Sequence, residues 1–303
     1  MRRQRDARSS PVPRAESPAR AAIARLVQRH ARRVSMAVAA ARDNPGPDNL
    51  HRLRIDVRRM RATLRALAGE LHPPLHAGLQ FDLKNLTRET SPARDADVRR
   101  ALLIPLIHDS LALPVGLKRD SAALVEQVRV DARLAIRARM RDPIWGARIE
   151  RIRATARDAD LIAWLTQPVG AVVSAIVRRE LTDLRRRMGR RRLGPRRLHR
   201  LRRRIRDVRY AVEGLLPIAR RQAAPLAATL QGAQALLGET HDLIEARRFL
   251  QDDLLPADCR SALAPGIETL LARRLKRCHE KVQRIAEKPP AEWQGWLRRA
   301  PRR

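Results

Sequence analysis

Two apolar rows with helical spacing organise this sequence. The first row consists of Leu50, Leu53, Val57, Met60 and Leu64, which follow one another at alternating steps of three and four residues. That spacing predicts a helix with one buried face. A basic stripe repeats the same steps one residue later and consists of His51, Arg54, Arg58, Arg61 and Arg65. Because one residue turns a helix by about 100°, we expect this stripe beside the buried face, at the edge of a groove between packed helices.

The same double pattern occurs again in the second half of the chain. Its apolar row consists of Leu198, Leu201, Ile205, Val208 and Val212, and its basic stripe of His199, Arg202, Arg206 and Arg209. The two histidines are 148 residues apart, close to half of the 303-residue chain. Asp95 follows the first histidine by 44 residues, and Asp242 follows the second by 43. This correspondence predicts an internal duplication, with the two stripes converging on a shared groove.

Proline-containing breakers divide the chain into segments of helical length, and no sustained period-two alternation is present, which predicts an all-α fold. In the second half we expect separate helices at about 195–216, 222–238 and 240–254. The predicted organisation is a disordered basic tail at 1–16, a helical domain at 17–288 and a C-terminal tail at 289–303. The domain divides into a first half at about 17–143, a connector with short helical pieces at 144–167, and a second half at about 168–288.

The charge of the chain points to a polyanionic partner. Lys and Arg number 65 against 32 Asp and Glu, which gives a formal charge of +33. These like charges repel one another in the folded state, and they favour binding to nucleic acid, an anionic membrane or an inorganic polyanion. The hydrophobic fraction of 44% is sufficient for a core. No apolar run is long enough to span a membrane and no signal peptide is recognisable, so we expect a cytoplasmic protein.

The basic stripes carry the clearest candidate chemistry. Like charges three or four residues apart destabilise a helix by a few tenths of a kcal/mol per pair, and no Asp or Glu lies three or four residues from Arg54, Arg58 or Arg61. A chain of phosphates would relieve this repulsion, because each guanidinium offers planar donors to phosphate oxygens. The alternative is a solvated basic face, which is common in an arginine-rich chain. The matched pair of stripes favours a binding surface.

Recognisable catalytic motifs are missing from the sequence. It contains no glycine-rich phosphate loop, no Walker motif and no nucleophile elbow. Asp95, Asp97 and Asp242 are the best acidic candidates, but we expect them to cap turns or to orient neighbouring arginines. Cys259 and Cys278 suggest neither a disulfide framework nor a zinc site. We therefore predict a non-enzymatic protein without cofactor or metal.

The two histidine-containing stripes resemble the CHAD family, the conserved histidine α-helical domain. The resemblance rests on residues 50–61 and 198–210, with additional similarity at 93–98 and 236–242. It implies two helical bundles related by pseudo-twofold symmetry, with a basic groove or pore between them. It also implies binding of inorganic polyphosphate and association with polyphosphate granules. We see no alternating Glu-x-Glu-x-Lys strand of a triphosphate-tunnel hydrolase, so the chain looks like a stand-alone binding module.

We therefore predict a non-catalytic protein that binds polyphosphate through both stripes. A nucleic-acid-binding protein using the same surface is the alternative, and an enzyme that cleaves or builds polyphosphate is a third possibility. The predicted binding residues are His51, Arg54, Arg58, Arg59, Arg61, Arg65, His199, Arg202, Arg203, Arg206 and Arg209. Weaker candidates are Lys84, Arg88, Arg94, Tyr210 and His241.

Overall fold

A computed structural model describes residues 19–162, 167–189 and 194–298. These residues form α-helices joined by short connections and two 3₁₀ turns, with no β-strand in the described ranges. The all-α prediction is confirmed. The helices are α1 (Ala19–Asp43), α2 (Pro47–Ala66), α3 (Pro73–Glu89), α4 (Ser91–Asp109), α5 (Val115–Met140), α6 (Pro143–Arg157), α7 (Val169–Met188), α8 (Pro195–Gln251), α9 (Ala257–Glu287) and α10 (Ala291–Arg298).

The two apolar rows predicted from the sequence are buried in one large core. Each member of the first row is at most 1% exposed, and Leu201 has the highest exposure in the second row, at 4%. Helix α2 packs between α1, α3 and α8, and α8 packs against α7 and α9. Burying both rows brings α2 and α8 together, and this contact positions the basic stripes beside each other.

A second, smaller core lies between α4, α5, the end of α8 and the beginning of α9. It contains Leu103, Val125, Phe249 and Ile267, among others. Each core therefore draws helices from both predicted halves of the sequence. The pseudo-twofold relation between the halves stays a prediction.

Helix α8 reaches both cores because it continues for 57 residues. A kink at Ala219, with φ −140° and ψ 31°, interrupts its helical geometry where the sequence predicts a break at 216–222. Pro217 and Pro225 lie close to this kink, and proline removes a helical hydrogen bond and clashes with the preceding turn. The second predicted break, between 238 and 240, is wrong, because the helix continues without interruption through both positions.

The segment predicted as a connector contains the continuous helix α6. Asp142 caps its start by accepting a hydrogen bond from the backbone N–H of Ile144 at 2.9 Å. Trp145, Ile149 and Ile152 share a buried face that packs into the large core. The expected short helical pieces are thus one helix of 15 residues in the first part of this segment, and its buried residues follow the three-to-four spacing of a packed helix.

The C-terminal segment folds back onto the body of the protein. Helix α10 packs against α7 and α8 and buries Trp293 and Trp296. The indole N–H of Trp293 donates to Thr229 Oγ1 at 2.9 Å. The predicted disordered tail at 1–16 lies outside the described residues. Among the helices described, none has the length and apolar character needed to cross a bilayer.

Candidate functional site

A basic groove lies between α2, α4 and α8, with the end of α3 at one side. It encloses about 610 Å³. The two stripes form its opposite walls, since α2 contributes one and the first part of α8 contributes the other. Its charged and histidine side chains are His51, Arg54, Arg58, Arg61, Arg65, Arg94, Asp95, His199, Arg202, Arg203, Arg206, Asp207, His241, Asp242 and Glu245.

Positive charge is crowded in this groove, where eight arginines face four carboxylates. Burial lowers the pKa values of Arg58, Arg61, Arg202 and Arg206 from the ordinary arginine value, and neighbouring guanidinium groups lower them further. The charge of Arg58 on α2 lowers the pKa of Arg206 on α8, so the two walls repel each other. A bound anion would relieve part of this repulsion because it supplies negative charge between the guanidinium groups.

Arg54 is the most deeply embedded cation of the groove, with 7% of its surface exposed. Its guanidinium donates to the backbone carbonyl of Thr87 at 3.3 Å and to Ser91 Oγ at 3.0 Å. These partners lie at the junction of α3 and α4, where a cation also complements the negative end of the α3 dipole. Burial, followed by the charge of Arg58, lowers the pKa of Arg54 to about 10. Arg54 therefore remains charged at neutral pH and is held rigidly.

Carboxylates form ion pairs with some of the groove arginines, including one pair between α8 and α2. Asp207 on α8 forms an ion pair with Arg65 on α2 at 3.0 Å and lies 3.7 Å from Arg206. Burial raises the pKa of Asp242, while nearby Arg202 acts in the opposite direction. These contacts leave Arg58 and Arg61 without an ion pair among the described residues.

Histidines occupy both walls of the groove. On the α8 side, Nδ1 of His199 lies 3.5 Å from Nδ1 of His241, and Nε2 of His241 lies 3.9 Å from a carboxylate oxygen of Glu245. Burial, followed by the charge of Arg202, lowers the pKa of His241 to about 3. Burial and neighbouring arginines also lower the pKa values of His51 and His199. All three histidines are therefore neutral near pH 7.

The structure brings most of the predicted binding residues into this one groove, but four lie elsewhere. Arg59 and Arg209 both form ion pairs with Glu213, at 2.9 and 3.3 Å. Arg209 also stacks on the ring of Tyr210 at 4.7 Å. Arg59 follows Arg58 by one residue, which turns it by about 100° out of the groove.

Lys84 and Arg88 are the other two predicted residues outside the lining. Both are exposed on α3, whereas Thr87 is the residue of that helix that lines the groove. Residues 84 and 88 share one face of α3 because they are one helical turn apart. The orientation of α3 depends on its packing against α2 and α6, which the local sequence pattern does not specify.

Several groove residues were not singled out from the sequence. Asp207, Gln234, Glu245 and Thr87 all line the groove. Glu245 follows His241 by four residues, so the helical spacing placed both on one face and offered a usable signal. The pairing of Asp207 with Arg65 joins two helices that are distant in sequence and had no local signal.

The fold and the groove define an all-helical protein with an arginine-lined cleft. The family description "CHAD domain" matches residues 25–251, most of the chain. The protein therefore belongs to the CHAD family, which is associated with polyphosphate binding.

Solved structures show the same fold. The CHAD domain from the plant Ricinus communis has a TM-score of 0.66 and 22% identity, with 97% of each chain covered. PptA from Streptomyces chartreusis also has a TM-score of 0.66, at 16% identity, over 90% of this chain and 100% of that one. A comparison with curated proteins found no match.

Proposed function

We propose that this protein binds inorganic polyphosphate in the basic groove without transforming it. The crowding of guanidinium groups on facing walls, with few carboxylates to neutralise them, is the observation that carries the proposal. A linear polyanion fits this arrangement because it presents closely spaced negative charges along a line. Family membership supports the same ligand class.

The dimensions of the stripe suit a chain of several phosphates. His51 and Arg65 are separated by fourteen helical residues, which corresponds to about 21 Å along the axis of α2 at about 1.5 Å per residue. Guanidinium groups along this length, including Arg58 and Arg61, can each donate two hydrogen bonds to phosphate oxygens. In the partly buried groove such charge-assisted hydrogen bonds are stronger than in bulk water.

Nucleic acid is the second candidate ligand because its backbone is also a polyanion. Proteins that bind single strands usually stack bases on several aromatic side chains. Among the described groove residues Tyr210 is the one aromatic other than histidine, it is 5% exposed, and Arg209 lies over its ring. These features favour polyphosphate.

A direct competition distinguishes the two ligands. Fluorescent long-chain polyphosphate is bound to the protein and challenged with duplex DNA, single-stranded DNA or RNA at equal phosphate concentration. We expect polyphosphate to remain bound. Displacement by any of the nucleic acids at equal phosphate concentration contradicts the proposal. All arms use one salt concentration, because polyanion binding weakens steeply as salt rises.

We further propose that the groove has no catalytic activity towards polyphosphate. Asp207 forms ion pairs with arginines, and Asp242 lies near Arg202, so these carboxylates are poorly placed to hold Mg²⁺ for phosphoryl transfer. We expect no release of phosphate when the protein is incubated with polyphosphate and Mg²⁺, Mn²⁺ or Zn²⁺. Metal-dependent release that a groove variant abolishes would instead identify an enzyme.

Binding in the groove also suggests association with polyphosphate granules in the cytoplasm. A fluorescent fusion of the protein should co-localise with granules stained for polyphosphate. Replacing Arg58 and Arg202 by Gln should disperse it. A fusion that remains diffuse in granule-containing cells, or a variant that still localises, would contradict this part of the proposal.

A further inference from the structure

One carboxylate stands between arginines of the two groove walls. Oδ2 of Asp207 on α8 lies 3.0 Å from a guanidinium nitrogen of Arg65 on α2, and its Oδ1 lies 3.7 Å from a guanidinium nitrogen of Arg206 on α8. All three residues line the groove. The carboxylate oxygens of Asp207 therefore occupy positions beside the arginines where a bound polyanion would place its phosphate oxygens.

The charge of Asp207 also reaches arginines with which it forms no ion pair. Burial lowers the pKa values of Arg58, Arg61 and Arg206, and the charge of Asp207 opposes this shift in all three. Among the described residues, no other carboxylate is a main influence on any of these three groups. Asp207 thus offsets part of the repulsion between the walls by supplying the kind of charge that a ligand would supply.

The contact between Asp207 and Arg65 can open without disturbing the core. The side chain of Asp207 is 27% exposed and that of Arg65 is 44% exposed. Ion pairs that water reaches contribute little to stability, because solvent screens the charges and holding two long side chains together costs entropy. A phosphate chain with several negative charges can therefore replace the carboxylate at Arg65. A carboxylate that remains beside the bound phosphates repels them.

A second ion pair between the same two helices provides a matched comparison. Oε2 of Glu213 on α8 lies 2.9 Å from a guanidinium nitrogen of Arg59 on α2. The 148-residue offset between His51 and His199 also relates Arg59 to Asp207 and Arg65 to Glu213. The two ion pairs therefore join equivalent positions of the two halves, and α2 supplies the arginine in both. Only the pair of Asp207 and Arg65 belongs to the groove lining.

We propose that Asp207 is an internal competitor of the polyanion, which occupies Arg65 and Arg206 in the free protein and must be displaced when the ligand binds. This inference rests on the proposed function, because it concerns the same groove. Asp207 holds the two walls together when no ligand is present. It also keeps the affinity of the groove below the value that the arginines alone would give.

The experiment measures the affinity of fluorescent long-chain polyphosphate for the full-length protein at several salt concentrations. Asp207→Asn keeps the side-chain shape and removes the charge. We expect this variant to bind at least about fivefold more tightly, because the carboxylate no longer repels the bound phosphates. The slope of log affinity against log salt should become steeper by about 0.7, the contribution of one additional phosphate contact on a single strand. Asp207→Glu retains the charge and should retain the unmodified slope.

Glu213→Gln is the matched control. It also removes one negative charge and one ion pair between α2 and α8, but outside the groove. Glu213 lies six residues beyond Asp207, which is about 9 Å along α8. This separation is about one Debye length at physiological salt, so we expect the affinity to change less than about twofold.

Two results overturn the inference and leave the proposed function standing. The first is unchanged or weaker polyphosphate binding by a folded Asp207→Asn variant. The second is equal tightening in Asp207→Asn and Glu213→Gln, which would reflect net charge alone. Failure of the unmodified protein to bind polyphosphate would overturn the proposed function and this inference with it. Circular dichroism checks each variant, and Asp207→Ser, which removes the same charge, decides the matter if Asp207→Asn loses helicity.

Discussion

Gly214 of α8 lies directly against Thr63 of α2. A Cβ atom added at Gly214 would overlap Thr63 Oγ1 and would also approach His30 Nε2 of α1 to 3.3 Å. Thr63 is held in place because its hydroxyl donates to the backbone carbonyl of Arg59 at 3.0 Å. The close approach of the three helices therefore depends on the absence of a side chain at Gly214. This close approach sets the separation of the two groove walls.

Replacing Gly214 by Ala should destabilise the protein by about 1–3 kcal/mol, the range for overpacking a well-filled core. Urea unfolding measures the change. Gly232 lies in the same helix with nothing within 4 Å of an added Cβ. Gly232→Ala should be neutral or stabilising by up to about 1 kcal/mol, since alanine is the better helix former. Equal stability of the two variants would contradict a tight helix contact at Gly214.

A buried ion-pair network fixes α3 against α6. Arg148, 4% exposed, lies 3.6 Å from Asp82 and 3.1 Å from Glu89. Replacing Arg148 by Met should cost about 3 kcal/mol, because it leaves two buried carboxylates short of a cation. Arg153→Met is the control, since its pair with Glu150 is exposed and worth less than about 1 kcal/mol. If the two substitutions change the urea midpoint equally, the buried network contributes no more to stability than the exposed pair.

Stability should fall in weak acid because of His30. Burial of the ring lowers the pKa of His30 to about 4, and the charges of Arg59 on α2 and of Arg33 and Arg29 on α1 act in the same direction. A hydrogen bond with the Gly214 backbone on α8 opposes this shift by raising the pKa. The unfolded chain, with a pKa near 6.5, binds the proton first, so the free energy of unfolding falls as pH drops from about 6.5 to 4.

Comparison with His30→Gln isolates this contribution from that of the carboxylates. Between pH 7 and pH 5 the unmodified protein should lose about 2 kcal/mol more than the variant, given about 1.4 kcal/mol per pH unit. The free energies come from urea titrations at each pH. Parallel curves for the two proteins would show that His30 is not held neutral by burial.

The helices that bury a regular apolar row were predictable from the sequence. The rows on α2 and α8 identify both the helices and the side on which their basic stripes lie, because burial of one face determines the orientation of the whole helix. Residues 144–157 illustrate the opposite case. The helical spacing of Trp145, Ile149 and Ile152 was present, but the segment lay between two apparent halves and was interpreted as a connector.

The groove itself was only partly predictable. Arg58 and Arg59 are adjacent and chemically identical, yet one lines the groove and the other pairs with Glu213. Helical periodicity places the two residues on different sides of α2. The many arginines along the chain hid this difference in the sequence. The contact of Arg65 with Asp207 and the approach of His199 to His241 depend on how distant segments pack, so no local pattern reveals them.

Facing arginines on α2 and α8 form the proposed polyphosphate site, and two variants that each lose four positive charges test it most directly. The groove variant carries Gln at Arg58, Arg61, Arg202 and Arg206. The control carries Gln at Arg25, Arg29, Arg32 and Arg33, which are exposed on α1. Arg54 is left intact because it also holds the α3–α4 junction.

Affinity for long-chain polyphosphate is measured at one salt concentration, with helicity checked by circular dichroism. We expect the groove variant to bind at least about 100-fold more weakly, since each charge-assisted hydrogen bond contributes about 1.5–3 kcal/mol. The control should lose less than about tenfold, because exposed charges are screened by salt. Equal losses in the two variants would show that diffuse charge, and not the groove, binds the polyanion.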